Sequence, residues 1–297
     1  MPRLIIDDST PIEVARSGGT RGLIPRNYET HPVGCYTSAT PMEVAEIPLI
    51  PRSEWVERIR DMEANKTRLS DIRRTSGPNG GRIPSLDQDG IGYCWNHSAA
   101  MAVMMERALR NLPYKRLSAF FVGCLIKNYR DEGGWGAQAL DFIQEHGIPS
   151  VEFWPEKSMN RNNDTAACRE NAKMHRVTEG WVDLSAAVYD RNLTEDQAMT
   201  LLLSRIPLIA DFNWWGHSVC LLDPILTGKN GNGAIPDLGS LDFNNLKDLA
   251  AYASIFGKRG INSWTDDYGD FGEFELAESR AILNGGVAPR VSVASAV

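Results

Sequence analysis

Residues 88–95 read Gln-Asp-Gly-Ile-Gly-Tyr-Cys-Trp, and this stretch places a thiol, Cys94, immediately before a long apolar pattern. From Cys94 to about Asn111 the sequence has a broad apolar face and no internal Gly or Pro, which predicts a buried helix. Backbone N–H groups and the positive end of a helix dipole stabilise a thiolate at such a helix start. The stretch therefore predicts a nucleophilic cysteine rather than an inert core thiol.

Two residues upstream of Cys94 support this prediction. Gly92 lets the backbone bend and approach a substrate closely, and Gln88 lies six residues before the thiol. The Gln88 side-chain amide can join the Cys94 N–H in binding the oxyanion of a tetrahedral intermediate, and each such donor contributes about 3 kcal/mol. If Cys94 were only a small buried side chain of the core, the presence of Gln88 and Gly92 upstream would not be explained.

Four motifs, in one order along the chain, resemble those of papain-like cysteine peptidases. The resemblance covers roughly residues 84 to 280 and rests on the motif order, because each motif alone is weak. The matching residues are Gln88, Gly92, Cys94 and Trp95; Glu132-Gly133-Gly134-Trp135, followed by HGIPSVEFWPE; Gly216-His217 before an apolar strand; and Asn262-Ser263-Trp264 with Tyr268-Gly269 and Gly272.

The resemblance implies an α+β fold with a helical lobe, a β-barrel-like lobe and an active-site cleft between them. It also implies hydrolysis of peptide bonds through an acyl-enzyme on Cys94, with His217 as the base that takes the thiol proton. The Asn262 side-chain carbonyl would hold the His217 tautomer, and Trp264 would cover that hydrogen bond from water. Gln88 completes the implied catalytic set, and no cofactor is implied.

Substrate-binding residues also follow from the resemblance. Gly133 and Gly134 would form a ledge on which an extended peptide lies, with Gly134 pairing to the substrate backbone and leaving no Cβ to obstruct it. Trp135 and Trp215 fall where the family lines its main specificity pocket. Two indoles at these positions favour a small or planar substrate side chain.

The sequence departs from the family where the family has a disulfide bridge. Ile91 stands in place of one cysteine and Asp131 in place of its partner. Loss of both halves suggests a fold that works without oxidation. A second departure is the stretch of about thirty residues between Leu222 and Gly260, which predicts a rebuilt cleft wall.

The chain divides by composition into three parts. Residues 1–81 form an N-terminal extension with one amphipathic helix, residues 82–180 the helical lobe with the nucleophile, and residues 181–297 the β-rich lobe with His217 and Asn262. The helix in the extension, Ser53 to about Leu69, partly matches the spacing of inhibitory propeptide helices in this family. Arg73 breaks that pattern, so a structural extension packed on the domain is favoured over a propeptide.

Periodicity predicts helices in the first half of the main domain and strands in the second, which independently indicates α+β. A capping box from Thr194 to Gln197 predicts a helix start between the strands. The remaining predicted helices are 117–129, 137–146 and 246–254, and the predicted strands are 177–184, 208–212, 217–222 and 273–276.

Composition excludes several other functions. The 31 basic and 38 acidic residues give a formal net charge of −7 without a Lys/Arg-rich block, which argues against a nucleic-acid ligand. No apolar run approaches a membrane span and no signal peptide is visible, so a cytoplasmic location, or for a viral protein the virion or host cytoplasm, is expected. The five cysteines lack metal-site spacing, and His97 is interpreted as a core histidine rather than a metal ligand.

An alternative from another class stays open. A papain-like fold can serve as a structural or binding component of a larger assembly, such as a virus particle, with weak or no peptidase activity. The long irregular N-terminus and the remodelled cleft favour this alternative. The complete set of Cys94, His217, Asn262 and Gln88 favours a peptidase that acts on a peptide or protein substrate.

Overall fold

A computed structural model describes residues 4–17, 19–45, 47–227, 238–242 and 244–290. The fold is α+β with two lobes, as predicted. The helices are α1 Ile12–Ala15, α2 Trp55–Ala64, α3 Leu69–Arg73, α4 Cys94–Leu109, α5 Ala119–Ile126, α6 Gly136–His146, α7 Ala166–Lys173, α8 Arg191–Leu203 and α9 Leu246–Ala253. The strands are β1 Ile5–Ile6, β2 Ala39–Pro41, β3 Trp181–Asp183, β4 Leu208–Phe212, β5 His217–Leu226, β6 Phe256–Ile261, β7 Glu273–Leu276 and β8 Gly285–Pro289.

The eight strands of the described residues form one sheet, in the order β1-β7-β6-β5-β4-β8-β3-β2. From β7 through β6, β5, β4 and β8 to β3 each neighbouring pair is antiparallel, whereas the two edge pairs, β1 on β7 and β2 on β3, are parallel. Both edge strands come from the N-terminal extension. The chain between them must therefore cross from one edge of the sheet to the other.

Helix α4 is the centre of the helical lobe because fourteen of its residues are buried. One apolar core surrounds α4 and includes Phe121, Trp154 and Leu140 from the following helices and loop. A second core fills the β-rich lobe, and a third lies under α2, α8 and α9. The amphipathic face of α2 is buried in the third core, so this helix packs on the domain.

Several predicted elements agree with the structure. Strands 208–212 and 273–276 and the helix that ends before Gly147 lie where they were predicted, and Gly147 has φ +78° as expected of a helix stop. The predicted helix from Ser53 to Leu69 is wrong in its length, because α2 ends at Ala64 and α3 begins at Leu69. The backbone turns between them, where Lys66 has φ +53°.

The capping box predicted at Thr194 is also wrong. Helix α8 begins at Arg191, and the Asp190 side chain caps it by accepting from the Leu193 N–H. Thr194 lies inside the helix, where its hydroxyl donates to the Asp190 and Ser185 carbonyls. A local pattern could not separate the two starts, because Asp190 and Thr194 are both good caps.

In the part of the chain that the structure describes, no helix is both long and apolar enough to span a membrane.

Candidate active site

Cys94 is the first residue of α4 and is fully buried. Its Sγ accepts a hydrogen bond from the Gly22 N–H at 3.3 Å, and the backbone of Ser218 on β5 lies close to it on the other side. Burial raises the pKa of the thiol to about 12, against smaller opposing effects of these backbone donors. In this state the thiol is therefore neutral at physiological pH.

The loop before Cys94 is held by a hydrogen bond at the position of the missing disulfide. The Asp131 Oδ1 accepts from the Gly92 N–H at 2.7 Å. All five cysteines lie among the described residues, and all are free. A carboxylate thus ties the two loops together without oxidation.

His217 is the first residue of β5, and Asn262 directly follows the paired strand β6. The sheet therefore brings the two side chains together, and His217 Nε2 lies 2.8 Å from Asn262 Oδ1. The Trp264 ring covers this pair, with its centroid 4.5 Å from the His217 ring. This is the arrangement implied by the resemblance.

Burial lowers the pKa of His217 to about 4, so its imidazole is neutral. Its Nδ1 is buried and has no hydrogen-bond partner among the described residues. Ser218, the next residue of β5, has its backbone against the Cys94 thiol, so the thiol lies beside the start of this strand. The sulfur and the ring are not hydrogen bonded in this state.

Gln88 is buried and points its amide at the N-terminal extension. Its Nε2 donates to the carbonyl oxygens of Thr20 and Ile91, each at 2.7 Å, and its Oε1 accepts from the Ser263 hydroxyl. Trp264 Nε1 donates to the same Thr20 oxygen at 3.2 Å. The donor predicted to bind an oxyanion thus binds a carbonyl of the chain itself.

The Gly133-Gly134 ledge also binds the extension. Gly134 donates to the Gly22 carbonyl at 2.9 Å and accepts from the Ile24 N–H at 3.0 Å, which makes a parallel bridge centred on Leu23. Leu23 in turn donates to the Gly216 carbonyl, directly before His217. The segment from Thr20 to Ile24 therefore runs across the candidate site, and residues 19–28 are called the strap below.

The strap is not predicted from the sequence, although its two glycines, Gly19 and Gly22, were a signal. A Cβ built on Gly22 would lie 1.9 Å from the Gly92 carbonyl oxygen, so only glycine fits at this position. The expected reason for a glycine at position 134 was that a Cβ would obstruct a peptide bound on the ledge. This reason is wrong, because a Cβ on Gly134 would instead lie 2.7 Å from the Trp95 ring. Gly133 is the ledge residue that faces the bound chain, since its Cβ would lie 2.5 Å from the Gly22 oxygen.

Both ends of the strap are anchored. Downstream, the Arg26 guanidinium forms a bidentate ion pair with the Asp183 carboxylate, with N–O distances of 2.8 and 3.0 Å, and both side chains are almost completely buried. Upstream, Trp215 Nε1 donates to the Ala15 carbonyl at 2.9 Å. The strap is thus part of the folded domain rather than a loose tail.

The two tryptophans predicted to line a specificity pocket, Trp135 and Trp215, lie in different surroundings. Trp215 is fully buried in the core of the β-rich lobe, packed on Trp264 and Phe274, so its prediction is wrong. The signal for Trp215 came from its position before His217, but Trp215 lies in the turn between β4 and β5, where its Nε1 donates to the Ala15 carbonyl and its ring packs into the core. Trp135 lies beside the ledge and donates to the Tyr36 hydroxyl, so its place in a pocket stays a prediction.

His97 is a core histidine, as interpreted from the sequence. Its ring is 2% exposed, Nδ1 lies 2.7 Å from the Tyr93 carbonyl oxygen, and Phe120 packs edge-on against it. Among the described residues there is no cluster of His, Cys, Asp and Glu that could hold a metal ion.

We expect His97 to make the fold acid-sensitive. Burial lowers its pKa from 6.5 to about 4, so between these values the unfolded chain binds a proton that the folded chain does not. The free energy of unfolding should therefore fall as the pH falls through this window, and His97→Gln should remove about 2–3 kcal/mol of that fall between pH 7 and 4.5. Urea unfolding of both proteins at the two pH values measures the difference, and parallel pH profiles would contradict the prediction.

No protein-family model matches the chain. Zingipain-1 of Zingiber officinale is 33% identical over 99 residues, which are 31% of this chain and 42% of that protein. The chain therefore matches less than half the length of this relative.

Solved structures resemble the chain over most of its length. Xylellain, a cysteine protease from Xylella fastidiosa, has a TM-score of 0.54 and 14% identity, covering 93% of this chain and 97% of that one. The digestive procathepsin L2 proteinase of the Tenebrio molitor larval midgut has a TM-score of 0.53 and 20% identity, covering 96% and 81%. The recombinant stem bromelain precursor has a TM-score of 0.53 and 14% identity, covering 89% and 86%.

Proposed function

We propose that this chain, which has the fold of the papain-like cysteine proteases and resembles them in sequence over 31% of its length, is a peptidase held latent by its own strap. One observation carries the proposal. The strap contacts the thiol, the predicted oxyanion donor and the substrate ledge at once, through Gly22, Thr20 and Ile24. This position, across the thiol, the oxyanion donor and the ledge, is the one that a peptide substrate would take in the proposed peptidase.

The strap is bound in a way that protects it from attack. The hydrogen bond from the Gly22 N–H directs Cys94 Sγ along the plane of the Arg21–Gly22 peptide, whereas attack needs an approach from above that plane to the carbonyl carbon, so the strap is not held for acylation. The strap also runs parallel to the ledge strand at Leu23. It is therefore an inhibitor of the cleft rather than a substrate of it.

Release of the strap would restore the chemistry. Water would reach Cys94 and His217, and the burial that raises the thiol pKa and lowers the imidazole pKa would be relieved. The Cys94 proton would then pass to His217 Nδ1, and the thiolate would attack the substrate carbonyl carbon. His217 would return the proton to the leaving amine, and water would hydrolyse the resulting thioester.

Labelling with a peptidyl epoxide tests the proposal, since the epoxide needs the catalytic geometry and not merely an accessible thiol. We expect slow modification of Cys94 in the full chain, no modification at this position in Cys94→Ala, and an unchanged rate in the matched variant Cys124→Ala. Cys35, which is exposed, is an internal comparison because iodoacetamide should modify it first. Equal epoxide labelling of Cys35 and Cys94 would contradict the proposal.

The covered cleft also fits the second candidate, a papain-like fold kept as a structural component of an assembly. In that case a chain whose strap has been displaced would bind no epoxide and turn over no member of a peptide library. Copurification with a large particle would then favour the structural role.

A further inference from the structure

We infer that a fixed loop closes one end of the cleft, so that the enzyme removes short peptides from the free amino terminus of its substrate. The inference rests on the peptidase proposed above and names the class of substrate that it takes. The loop, called the end loop below, comprises residues 26–36. It begins within the strap, directly after the part of the strap that covers the thiol and the ledge.

The end loop is closed on itself and on the domain by the Arg26 side chain. Its Nε donates to the His31 carbonyl oxygen at 2.8 Å and its Nη2 to the Pro32 carbonyl oxygen at 2.6 Å. The same guanidinium pairs with Asp183 of β3, which also accepts from the Gly34 N–H at 2.8 Å. Detachment of the loop would leave the Asp183 carboxylate buried without a cation, which is strongly unfavourable. We therefore expect the end loop to stay in place when the rest of the strap leaves.

The chain on the two sides of Arg26 is held in different ways. Downstream, strand β2 fixes residues 39–41 to β3 in the sheet. Upstream, the segment from Thr20 to Ile24 is held in the cleft by hydrogen bonds of its backbone. The strap can therefore open on the upstream side while the end loop keeps its position.

The end loop lies at the end of the ledge. The His31 ring packs edge-on against Trp135 with 5.1 Å between the ring centroids, and Trp135 Nε1 donates to the Tyr36 hydroxyl at 3.0 Å. A peptide that continues past Gly134 would meet these rings. The strap crosses from the thiol to the end loop with three residues, 23–25. A substrate in an extended conformation should therefore fit about two or three residues between the thiol and the end loop.

The charges at this closed end fit an ammonium group. A pocket of about 640 Å³ lies between the end loop and the ends of β4 and β8. Its lining includes the exposed Glu29 and Asp211, whose Oδ1 is buried and accepts no hydrogen bond from the described residues. Asp183 balances the charge of Arg26, so Arg191 is the competing cation of the lining.

An α-ammonium group would give the Asp211 oxygen a charge-assisted hydrogen bond, whereas an α-carboxylate would face two acids. The substrate should therefore bind with its amino terminus at the closed end. Cys94 would form the thioester with the second or third residue, and the rest of the substrate would leave as an amine. Water would then hydrolyse the thioester and release a dipeptide or tripeptide.

The test uses the full chain with Gly22→Val, because a side chain at Gly22 cannot fit against Gly92 when the strap is in the cleft. The peptides share the residues around the scissile bond and carry two, three or six residues on its amino side, each with a free or an acetylated amino terminus. We expect acetylation of the two- and three-residue forms to lower kcat/KM by about 10- to 100-fold. The six-residue forms should be slower by about tenfold or more, because they clash with the end loop.

Two variants of the end loop test its part in this selectivity. Arg26→Ala removes the ion pair, and Tyr36→Ala leaves the ion pair but removes the ring beside Trp135. Both should raise hydrolysis of the six-residue peptides toward that of the short ones. The matched control is Arg58→Ala, which removes an exposed arginine of a surface ion pair on α2 and should change nothing.

Asp211→Asn should abolish the preference for a free amino terminus and keep the limit on length. Glu57→Gln, which removes an exposed acid from α2, is its control and should keep both. Equal hydrolysis of the acetylated six-residue peptide and the free three-residue peptide overturns the inference and supports a peptidase that cuts within chains. Binding of the same peptides to the opened chain with Cys94→Ala measures the preference without turnover. If short free peptides bind best but no peptide is hydrolysed and no epoxide reacts, the closed end is supported and the proposed peptidase is contradicted.

Discussion

Gly22→Val should convert the nearly inactive full chain into an active peptidase, with an increase in kcat/KM of about 100-fold or more. The substituted side chain would overlap the Gly92 carbonyl oxygen, which a Cβ would approach to 1.9 Å. The contact is between two backbone segments, at Gly22 and Gly92, so no flexible side chain can move aside to make room. The strap must therefore leave the cleft, and hydrolysis of a fluorogenic peptide library measures the gain.

The size of the effect follows from what holds the strap in place. The strap is hydrogen bonded to both sides of the candidate site. Its bonds join Thr20, Gly22, Leu23 and Ile24 to Gln88, Trp264, Gly134 and Gly216. At a net of about 1 kcal/mol each, these bonds favour the closed state by several kcal/mol before the entropy of ordering the strap is subtracted. Since each 1.4 kcal/mol is a factor of about ten, the wild-type chain should be open in about one molecule in a hundred or fewer.

The matched control for this variant is Gly81→Val. Gly81 lies in the same N-terminal extension, is exposed, and has an ordinary negative φ of −85°. It is distant in sequence from the strap, so its substitution should not activate the enzyme. A folded Gly22→Val chain that is as inactive as the wild type would show that the strap is not what blocks the cleft.

The positions of the candidate site residues could be predicted from the sequence because each residue lies in a short motif of its own. Cys94 begins a helix and His217 begins a strand, and both elements follow from apolar patterns, whereas the orientation of Asn262 is set by pairing of β5 with β6. The strands β6 and β8 were not predicted. Glycines at 257, 260, 285 and 286 replace the side chains that would have given an alternating pattern.

The strap could not be predicted, because its contacts depend on pairing across long distances in the sequence. Gly22 packs on Gly92 and accepts a hydrogen bond from the Gly134 N–H, and Arg26 forms an ion pair with Asp183, 157 residues away. Local composition showed only a polar, glycine-containing extension. The spacing of the later amphipathic helix partly matches inhibitory propeptide helices, but the sequence favours a structural extension packed on the domain, and in the structure that helix packs on the domain. An earlier segment, the strap, lies in the cleft instead.

His217→Gln in the opened Gly22→Val chain should lower kcat/KM by about 1000-fold or more. The loss is expected because Gln cannot take the thiol proton or return it to the leaving amine. The second readout is the pH dependence of Cys94 alkylation by iodoacetamide. With His217 present the thiolate is paired with an imidazolium and reacts well below pH 7, whereas without it the midpoint should rise toward the ordinary cysteine value of about 8.5.

A merely structural role for His217 would not produce this shift in the alkylation midpoint. His175→Gln is the matched control, because His175 is also buried and its pKa is likewise lowered to about 4 by burial, but it lies in the helical lobe beside Ile148. The control should keep both the activity and the low midpoint of Cys94. If His217→Gln instead left the midpoint where it was, the thiol and the imidazole would not act as a pair. The orphaned Nδ1 of His217 would then need another explanation.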